Sequence, residues 1–409
     1  MKQLVLLAIF TALFYGCGRE PIEEINLEQI LGSDIIAAKQ INPKEINLYV
    51  DLSSSMKNYL NQSLITGSDY YLYENYIRNI FSQRQDAKIN IYGFGDDIYF
   101  LGSNDDAIQS LINQNTYDKS MTKINQVFDK IQKDTSQTLN FVLSDALYEE
   151  DGVQGNTLGF LMSPYIKSQV SKKKLFGLFA KNLGYYGIQN KKVFNSPLYL
   201  FVFGEYSHNT FLTSNYSGVN DDFFIIAPNF KYSSKISLSP NINLLMQKSK
   251  YVLAEVDDYT SPVNIKISFE REIGDNLLKS NILNDKYEFV IFEKLIHYDE
   301  QKATYVGDTE WSRSPLNDPQ CSLLNKYNND TTKQILTLEF NKSFKEQSNF
   351  KIYRIAVLSK IHKNLIDKYN TDNPDNIQKT YRFNDFFVNL QNHLNENPVP
   401  LFTYFIVIK

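Results

Sequence analysis

Between residues 45 and 205, short apolar strand-like segments alternate with segments of helical periodicity, and this alternation restricts the possible folds most. Strand character is found at Glu45–Asp51, Lys88–Phe94, Ile98–Leu101, Thr138–Ser144, Leu175–Ala180 and Leu198–Phe203. Apolar residues at helical spacing are found at Tyr70–Ser82, Ile124–Ile131 and Leu158–Val170. Strands that alternate with helices favour a doubly wound α/β sheet with helices on both faces. Such a sheet binds its ligand beyond the carboxyl ends of its strands.

From residue 221 to residue 409, segments of alternating apolar and polar residues become the main pattern. The clearest are Ile265–Glu270, Tyr287–Phe292, Ile335–Phe340 and Phe350–Leu358, and a helix is predicted at Phe383–Leu394. The chain contains 28 Tyr and 28 Phe residues, whose rings pack well on pleated surfaces. Because 409 residues exceed one ordinary core, we predict an α/β domain over residues 45–220. A β-rich, sandwich-like antiparallel domain is expected over residues 221–409.

The N-terminal segment has the organisation of a secretory signal. Lys2 precedes an apolar run, Leu4–Leu13, that is too short to cross a bilayer, which requires about 20 apolar residues. The following pattern around Cys17 resembles a bacterial lipoprotein signal, although Phe14 and Tyr15 replace the usual Leu and small residue. The resemblance implies a signal peptide at residues 1–16, lipidation of Cys17 and a tether at residues 17–44. An ordinary signal peptide with an incidental cysteine is the alternative.

The remaining cysteine and the net charge restrict the compartment and the partners. Cys321 is the only other cysteine, so a lipidated Cys17 leaves no intrachain disulfide, and we expect Cys321 to be buried. No later stretch is apolar enough to span a membrane, so the lipid would be the sole attachment to the cell envelope. The protein would then be a lipid-anchored membrane protein of the bacterial cell envelope, at the outer membrane and either periplasmic or surface-exposed, and the sequence does not decide the leaflet or the facing. A net charge of −4 provides no basic field for nucleic acid.

Oxygen-bearing side chains follow two of the predicted strands. Asp51 ends the first strand, and Ser53 and Ser55 come directly after it. Asp145 follows another strand, and Thr122 precedes a predicted helix. Small oxygen ligands on a loop suit a hard cation, which we expect to be Mg²⁺, with Mn²⁺ or Ca²⁺ as alternatives.

These residues resemble the metal-ion-dependent adhesion site of the von Willebrand factor type A (vWA) family. The family pattern is Asp-x-Ser-x-Ser, then a Thr, then an Asp, and here it falls on Asp51, Ser53, Ser55, Thr122 and Asp145. The resemblance implies a Rossmann-like vWA fold in which the hydroxyls contact the metal and the acids hold it directly or through water. It also implies an open coordination position that accepts a carboxylate from a protein partner.

The chain departs from the family pattern at three positions. Ser54 and Ala146 stand where Gly is common, and Met121 replaces a Gly before the Thr. Each site residue also has a purely structural interpretation. The two serines of the loop could cap the following helix, and Asp145 could be satisfied by backbone amides.

The residues around this site give little support for catalysis. Ser54 to Lys57 has the Ser-x-x-Lys spacing of penicillin-recognising enzymes, but no Lys-Thr-Gly segment follows it. The four His residues have no short ligand spacing, and we predict that the protein is not an enzyme. The main hypothesis is therefore a membrane-tethered protein that binds a partner through its metal. A structural subunit of an envelope assembly with a vestigial metal site, or an envelope hydrolase with its site in residues 220–409, are the alternatives.

Overall fold

A computed structural model describes residues 41–60, 86–103, 105–134, 137–147, 158–172, 174–187, 192–208, 222–226, 233–248, 250–272, 287–299, 301, 304–307, 312–313, 321–324, 333–342, 350–359, 363–373, 376, 378–396 and 400–408. The expected signal peptide, the lipidated Cys17 and the helix expected at Tyr70–Ser82 lie outside the described residues. Within the described ranges, no helix is long and apolar enough to cross a membrane.

The first sheet contains all six strands predicted over residues 45–205. Its elements are β1 (Glu45–Asp51), β2 (Lys88–Phe94), β3 (Ile98–Ser103), α1 (Asp105–Ile112), α2 (Ile124–Lys133), β4 (Thr138–Ser144), α3 (Leu158–Ser171), β5 (Lys174–Gly187), β6 (Lys192–Glu205) and β7 (Asp222–Ile226). The strand order is β3-β2-β1-β4-β6-β5-β7. β1 is an inner strand that is parallel to both β2 and β4, whereas β3 is antiparallel to β2.

One half of this sheet differs from a doubly wound parallel arrangement. β6 lies antiparallel to β4, and β5 and β6 form an antiparallel pair of 14 residues each, from Lys174 opposite Glu205 to Gly187 opposite Lys192. A short connection between two strands permits only antiparallel pairing, because parallel neighbours need a long crossover. β5 therefore runs in the same direction as β4, but β6 is inserted between them. The chain has a mixed α/β fold in which strands predominate.

Helices cover both faces of the first sheet, as predicted. Successive residues of a strand point to opposite faces. Leu48 of β1 lies in a core with Leu111 of α1 and with Met56, which begins a short 3₁₀ helix. Tyr49 lies in a second core, on the opposite face, with Phe128 of α2 and with side chains of α3.

The second half of the chain forms two large sheets that share one core, and a small two-stranded sheet. Its elements are β8 (Ser233–Leu238), β9 (Ile242–Gln247), β10 (Tyr251–Val256), β11 (Val263–Glu272), β12 (Tyr287–Asp299), β13 (Thr304–Gly307), β14 (Ser312–Arg313), β15 (Cys321–Leu324), β16 (Lys333–Lys342), β17 (Phe350–Ser359), α4 (Lys363–Tyr369), β18 (Asn370–Thr371), β19 (Thr380–Tyr381), α5 (Phe383–Glu396) and β20 (Pro400–Ile408). One sheet has the order β13-β12-β17-β20-β10-β9, with β14 beside β12, and the other has the order β15-β16-β11-β8. Val252 and Tyr404 of the first pack with Ile265 and Leu338 of the second.

The strand pairs of the two large sheets are antiparallel with one exception, and the small β18–β19 pair is parallel as well. β10 pairs in parallel with β20, which corrects the expectation of a wholly antiparallel domain. The two strands are far apart in the chain, so no hairpin fixes their relative direction. The predicted strands correspond to β11, β12, β16 and β17, and the predicted helix corresponds to α5. Cys321 lies in β15, but the expected burial of its side chain lies outside the described side chains.

Residues 363–396 connect β17 to β20, yet they pack against the first sheet. The side chains of Tyr369 and Phe386 belong to the core that α2 covers. The Tyr369 hydroxyl donates a 3.0 Å hydrogen bond to the carbonyl of Ala180, and the Tyr199 and Thr380 hydroxyls lie 2.7 Å apart. The core of the first sheet is thus completed by residues that the sequence assigns to the second half.

Candidate metal centre

The loop after β1 is held by backbone hydrogen bonds on both sides. The N–H of Leu52 donates to the carbonyl of Phe94 at the end of β2 (2.8 Å). The N–H of Lys119 donates to the carbonyl of Leu52 (3.1 Å), and the N–H of Ser54 donates back to the carbonyl of Lys119 (3.0 Å). The backbone pairing of β1 therefore continues past Asp51 for a few residues, and these hydrogen bonds hold the loop in place.

Two glycines allow this close packing. A Cβ atom on Gly93 would lie 2.2 Å from a terminal carbon of Leu52, and one on Gly95 would lie 2.5 Å from the Cβ of Lys119. The same atom on Gly95 would also lie 3.2 Å from the carbonyl oxygen of Met121. The segment from Lys119 to Met121, which precedes Thr122, therefore packs directly against the backbone of Gly95.

Asp51 is the centre of a hydrogen-bonded group of oxygen atoms. Its side chain is fully buried, and Oδ1 accepts a 2.8 Å hydrogen bond from the N–H of Ser53. The Thr122 hydroxyl lies 3.5 Å from the same oxygen, at the long limit of a hydrogen bond. The hydroxyls of Ser53 and Ser55 are 3.0 Å apart. The structure thus brings together four of the residues that the sequence selected: Asp51, Ser53, Ser55 and Thr122.

Sequence reasoning missed a fifth participant, Ser144. Its hydroxyl donates a 2.7 Å hydrogen bond to Oδ2 of Asp51, and its oxygen accepts one of 3.0 Å from the N–H of Ala146. Asp51 and Ser144 are each the last residue of a predicted strand, and this could have indicated the contact. The two strands pair with Val50 opposite Leu143, which places Ser144 beside Asp51. Ser144 therefore fixes the orientation of the Asp51 carboxyl group.

Asp145 is buried at the end of β4, close enough for its charge to act on Asp51. Its Oδ1 accepts a 3.1 Å hydrogen bond from the N–H of Leu147. Ala146 has a φ of 62°, in the left-handed region that Gly adopts most easily, and it is the position where the family pattern often has Gly. The backbone after β4 thus keeps a turn suited to Gly although the residue is Ala.

Burial and charge both disfavour the ionised form of Asp51. Burial, followed by the neighbouring charge of Asp145, raises the pKa of Asp51 to about 8. Hydrogen bonds from Ser53 and Ser144 lower it only in part. The field of Asp145 also contributes to the raised pKa of Tyr59, after the larger effect of burial. A divalent cation between the two acids would reverse this electrostatic penalty.

The donor set contains only oxygen atoms: two carboxylates and several hydroxyls. Oxygen donors match Mg²⁺, Mn²⁺ or Ca²⁺ rather than a thiol- or imidazole-binding metal. Among the described residues, no cluster of three or more His, Cys, Asp or Glu side chains could hold a metal. A site at the end of β1 would consequently depend on hydroxyls as much as on acids.

Known proteins provide no independent identification of this site. No protein-family model matches the chain, and a comparison with curated proteins finds no similar sequence.

Proposed function

We propose that this chain is an envelope-anchored lipoprotein that binds a protein partner through a divalent cation in a vWA-type domain. Asp51, Ser53, Ser55, Thr122 and Asp145 would hold the cation, and Ser144 would position Asp51. The observation that carries the proposal is the burial of two carboxyl groups at the carboxyl ends of the neighbouring strands β1 and β4, with hydroxyls grouped around Asp51. Such a group of acids is stable in its ionised form only with a cation.

The arrangement of the first sheet supports the vWA-type domain. Ligand sites of α/β sheets lie beyond the carboxyl ends of parallel strands, and Asp51 ends β1 between the parallel strands β2 and β4. Helices on both faces and an antiparallel β3 at the edge are compatible with a doubly wound domain. The antiparallel β6 is a departure from that arrangement, but it lies on the side of β4 away from β1.

The proposed chemistry is recognition rather than catalysis. Mg²⁺ binds few protein ligands and keeps other coordination positions for water or an incoming oxygen. When bound, the cation would offer one such position to a carboxylate of the partner. The apolar run before Cys17 supports the lipid anchor, which would hold the domain at the membrane surface.

Neighbouring serines of the loop provide a matched test. Ser53 is buried, whereas Ser54 is exposed and occupies a position where the family pattern has no ligand. We expect titration calorimetry to detect Mg²⁺ and Mn²⁺ binding to the wild type and to Ser54→Ala. For Ser53→Ala, the affinity should fall at least about tenfold.

Two outcomes would count against the proposal. If neither metal binds the wild type, the site is vestigial and the structural-subunit alternative is favoured. If Ser53→Ala binds as tightly as Ser54→Ala, the cation lies elsewhere. Lipidation is tested separately, because Cys17→Ser should release the protein from the membrane fraction without changing its metal affinity.

A further inference from the structure

β9 forms one edge of its sheet and has apolar side chains exposed to solvent. It pairs with β10 on one side, and no strand in the described part of the chain pairs with its other side. β8 precedes it in the chain but belongs to the other sheet, where it pairs with β11. Leu244, Leu245 and Met246 are 48%, 36% and 39% exposed, although β9 lies next to a well-buried strand.

The exposed side chains cover both faces of this edge. Leu244 lies opposite Ala254 and Met246 lies opposite Leu253, which are neighbours on β10 and so point to opposite faces. Leu245 is the extra residue of a bulge between them. No residue from Ile242 to Gln247 is charged. Natural edge strands usually carry charges that prevent association, and β9 has none.

The two ends of the β9–β10 hairpin carry opposite charges. Lys248 and Lys250 lie at the end where β9 turns into β10. Glu255 and Asp257 lie at the other end, where the N–H of Asp257 donates to the carbonyl of Asn241 (3.0 Å). If two copies meet along β9 in antiparallel orientation, the basic end of each lies against the acidic end of the other. A parallel orientation would instead bring like charges together.

We propose that two copies of this chain associate through their β9 edges about a twofold axis near Leu245. A twofold axis makes the contact isologous, so each favourable pairing of charges occurs twice. Burial of the apolar side chains drives the association, and the charged ends fix its direction. The surface lies in a different sheet from the metal site, so this inference does not depend on the proposed function.

Sedimentation equilibrium of the full chain in detergent tests the proposal. We expect a concentration-dependent monomer–dimer equilibrium for the wild type and loss of the dimer for Leu245→Lys over the same concentration range. Leu295→Lys is the matched control, because Leu295 is 42% exposed on β12 and should leave the dimer unchanged. Circular dichroism of each variant should match that of the wild type.

A charge exchange tests the antiparallel direction. Lys248→Glu should weaken the dimer about tenfold, and adding Asp257→Lys to the same chain should restore it. A wild type that is monomeric at all concentrations would overturn the proposal. A dimer that survives Leu245→Lys would show that the contact lies elsewhere, and a double variant weaker than Lys248→Glu alone would exclude the antiparallel arrangement.

Discussion

Asp51→Asn replaces a buried carboxyl group by an amide of the same size. The variant therefore tests two effects of the carboxyl group on the free energy of unfolding: the cost of ionising it in a buried position, and its binding of a cation. In the folded protein the pKa of Asp51 is about 8, whereas an aspartate in an unfolded chain titrates near ~3.9. Between these values the folded state binds more protons than the unfolded state. The free energy of unfolding of the metal-free wild type therefore decreases as the pH rises through this window.

The raised pKa of Asp51 sets the size of this change in the free energy of unfolding. One proton contributes at most about 1.4 kcal/mol per pH unit, so the wild type should lose up to about 3 kcal/mol between pH 5 and pH 7. Asp51→Asn has no proton to lose and should lack this slope. Mg²⁺ at a hundredfold of its dissociation constant should restore about 2.7 kcal/mol to the wild type and nothing to the variant.

Urea unfolding measures the free energy of unfolding of each protein under four conditions, which are pH 5 and pH 7, each with EDTA or with Mg²⁺. The difference in free energy between the two pH values is compared first in EDTA. If the wild type and Asp51→Asn have parallel pH dependences there, Asp51 is not buried in the way described. If Mg²⁺ stabilises both proteins equally, Asp51 is not a ligand.

Two further substitutions test packing, one beside the candidate site and one where α5 covers the first sheet. Gly95→Ala should displace residues 119–122, lower the free energy of unfolding by about 1–3 kcal/mol and weaken Mg²⁺ binding measured by calorimetry. An unchanged Mg²⁺ affinity would contradict the contact. Phe386→Ala should destabilise the chain by about 3–5 kcal/mol in urea unfolding, because this residue is fully buried. The control Val388→Ala, at an exposed position of the same helix, should change stability by less than about 0.5 kcal/mol, and an equal loss in both variants would refute the packing of α5 on the sheet.

The strands of the first sheet were predictable where an apolar run is bounded by polar residues. β1, β2 and β4 have the predicted bounds, and α2 begins at the predicted Ile124. β5 and β6 are each much longer than predicted, because Lys181 and Asn182 interrupt the apolar run of β5 and residues 192–197 of β6 are mixed, yet both strands continue as a paired ribbon. Periodicity contains no information on strand direction, so the insertion of β6 between β4 and β5 could not be predicted.

Part of the hydrogen-bonded group around Asp51 was predicted from the Asp-x-Ser-x-Ser pattern and the later Thr. Asp51, Ser53 and Thr122 converge as the motif indicated, since the first ends β1, the second follows it and the third precedes α2. That these side chains hold a cation stays a prediction. Ser144 was not selected, because it was counted only as the last residue of an apolar strand. Helix α5 was predicted, but its place against the first sheet was not, because amphipathicity shows that a helix has an apolar face and not which surface covers it.

The position of residues 363–396 also affects the order in which the chain can fold. The first sheet begins at Glu45, but one of its two cores includes Phe386, more than three hundred residues later in the chain. Contacts of such high sequence separation form slowly, because a long loop must close first. During synthesis, the face of the N-terminal strands that α2 and α3 cover therefore stays incompletely covered until this segment has been made. A truncation before residue 363 would make this exposure of apolar side chains permanent and would favour aggregation.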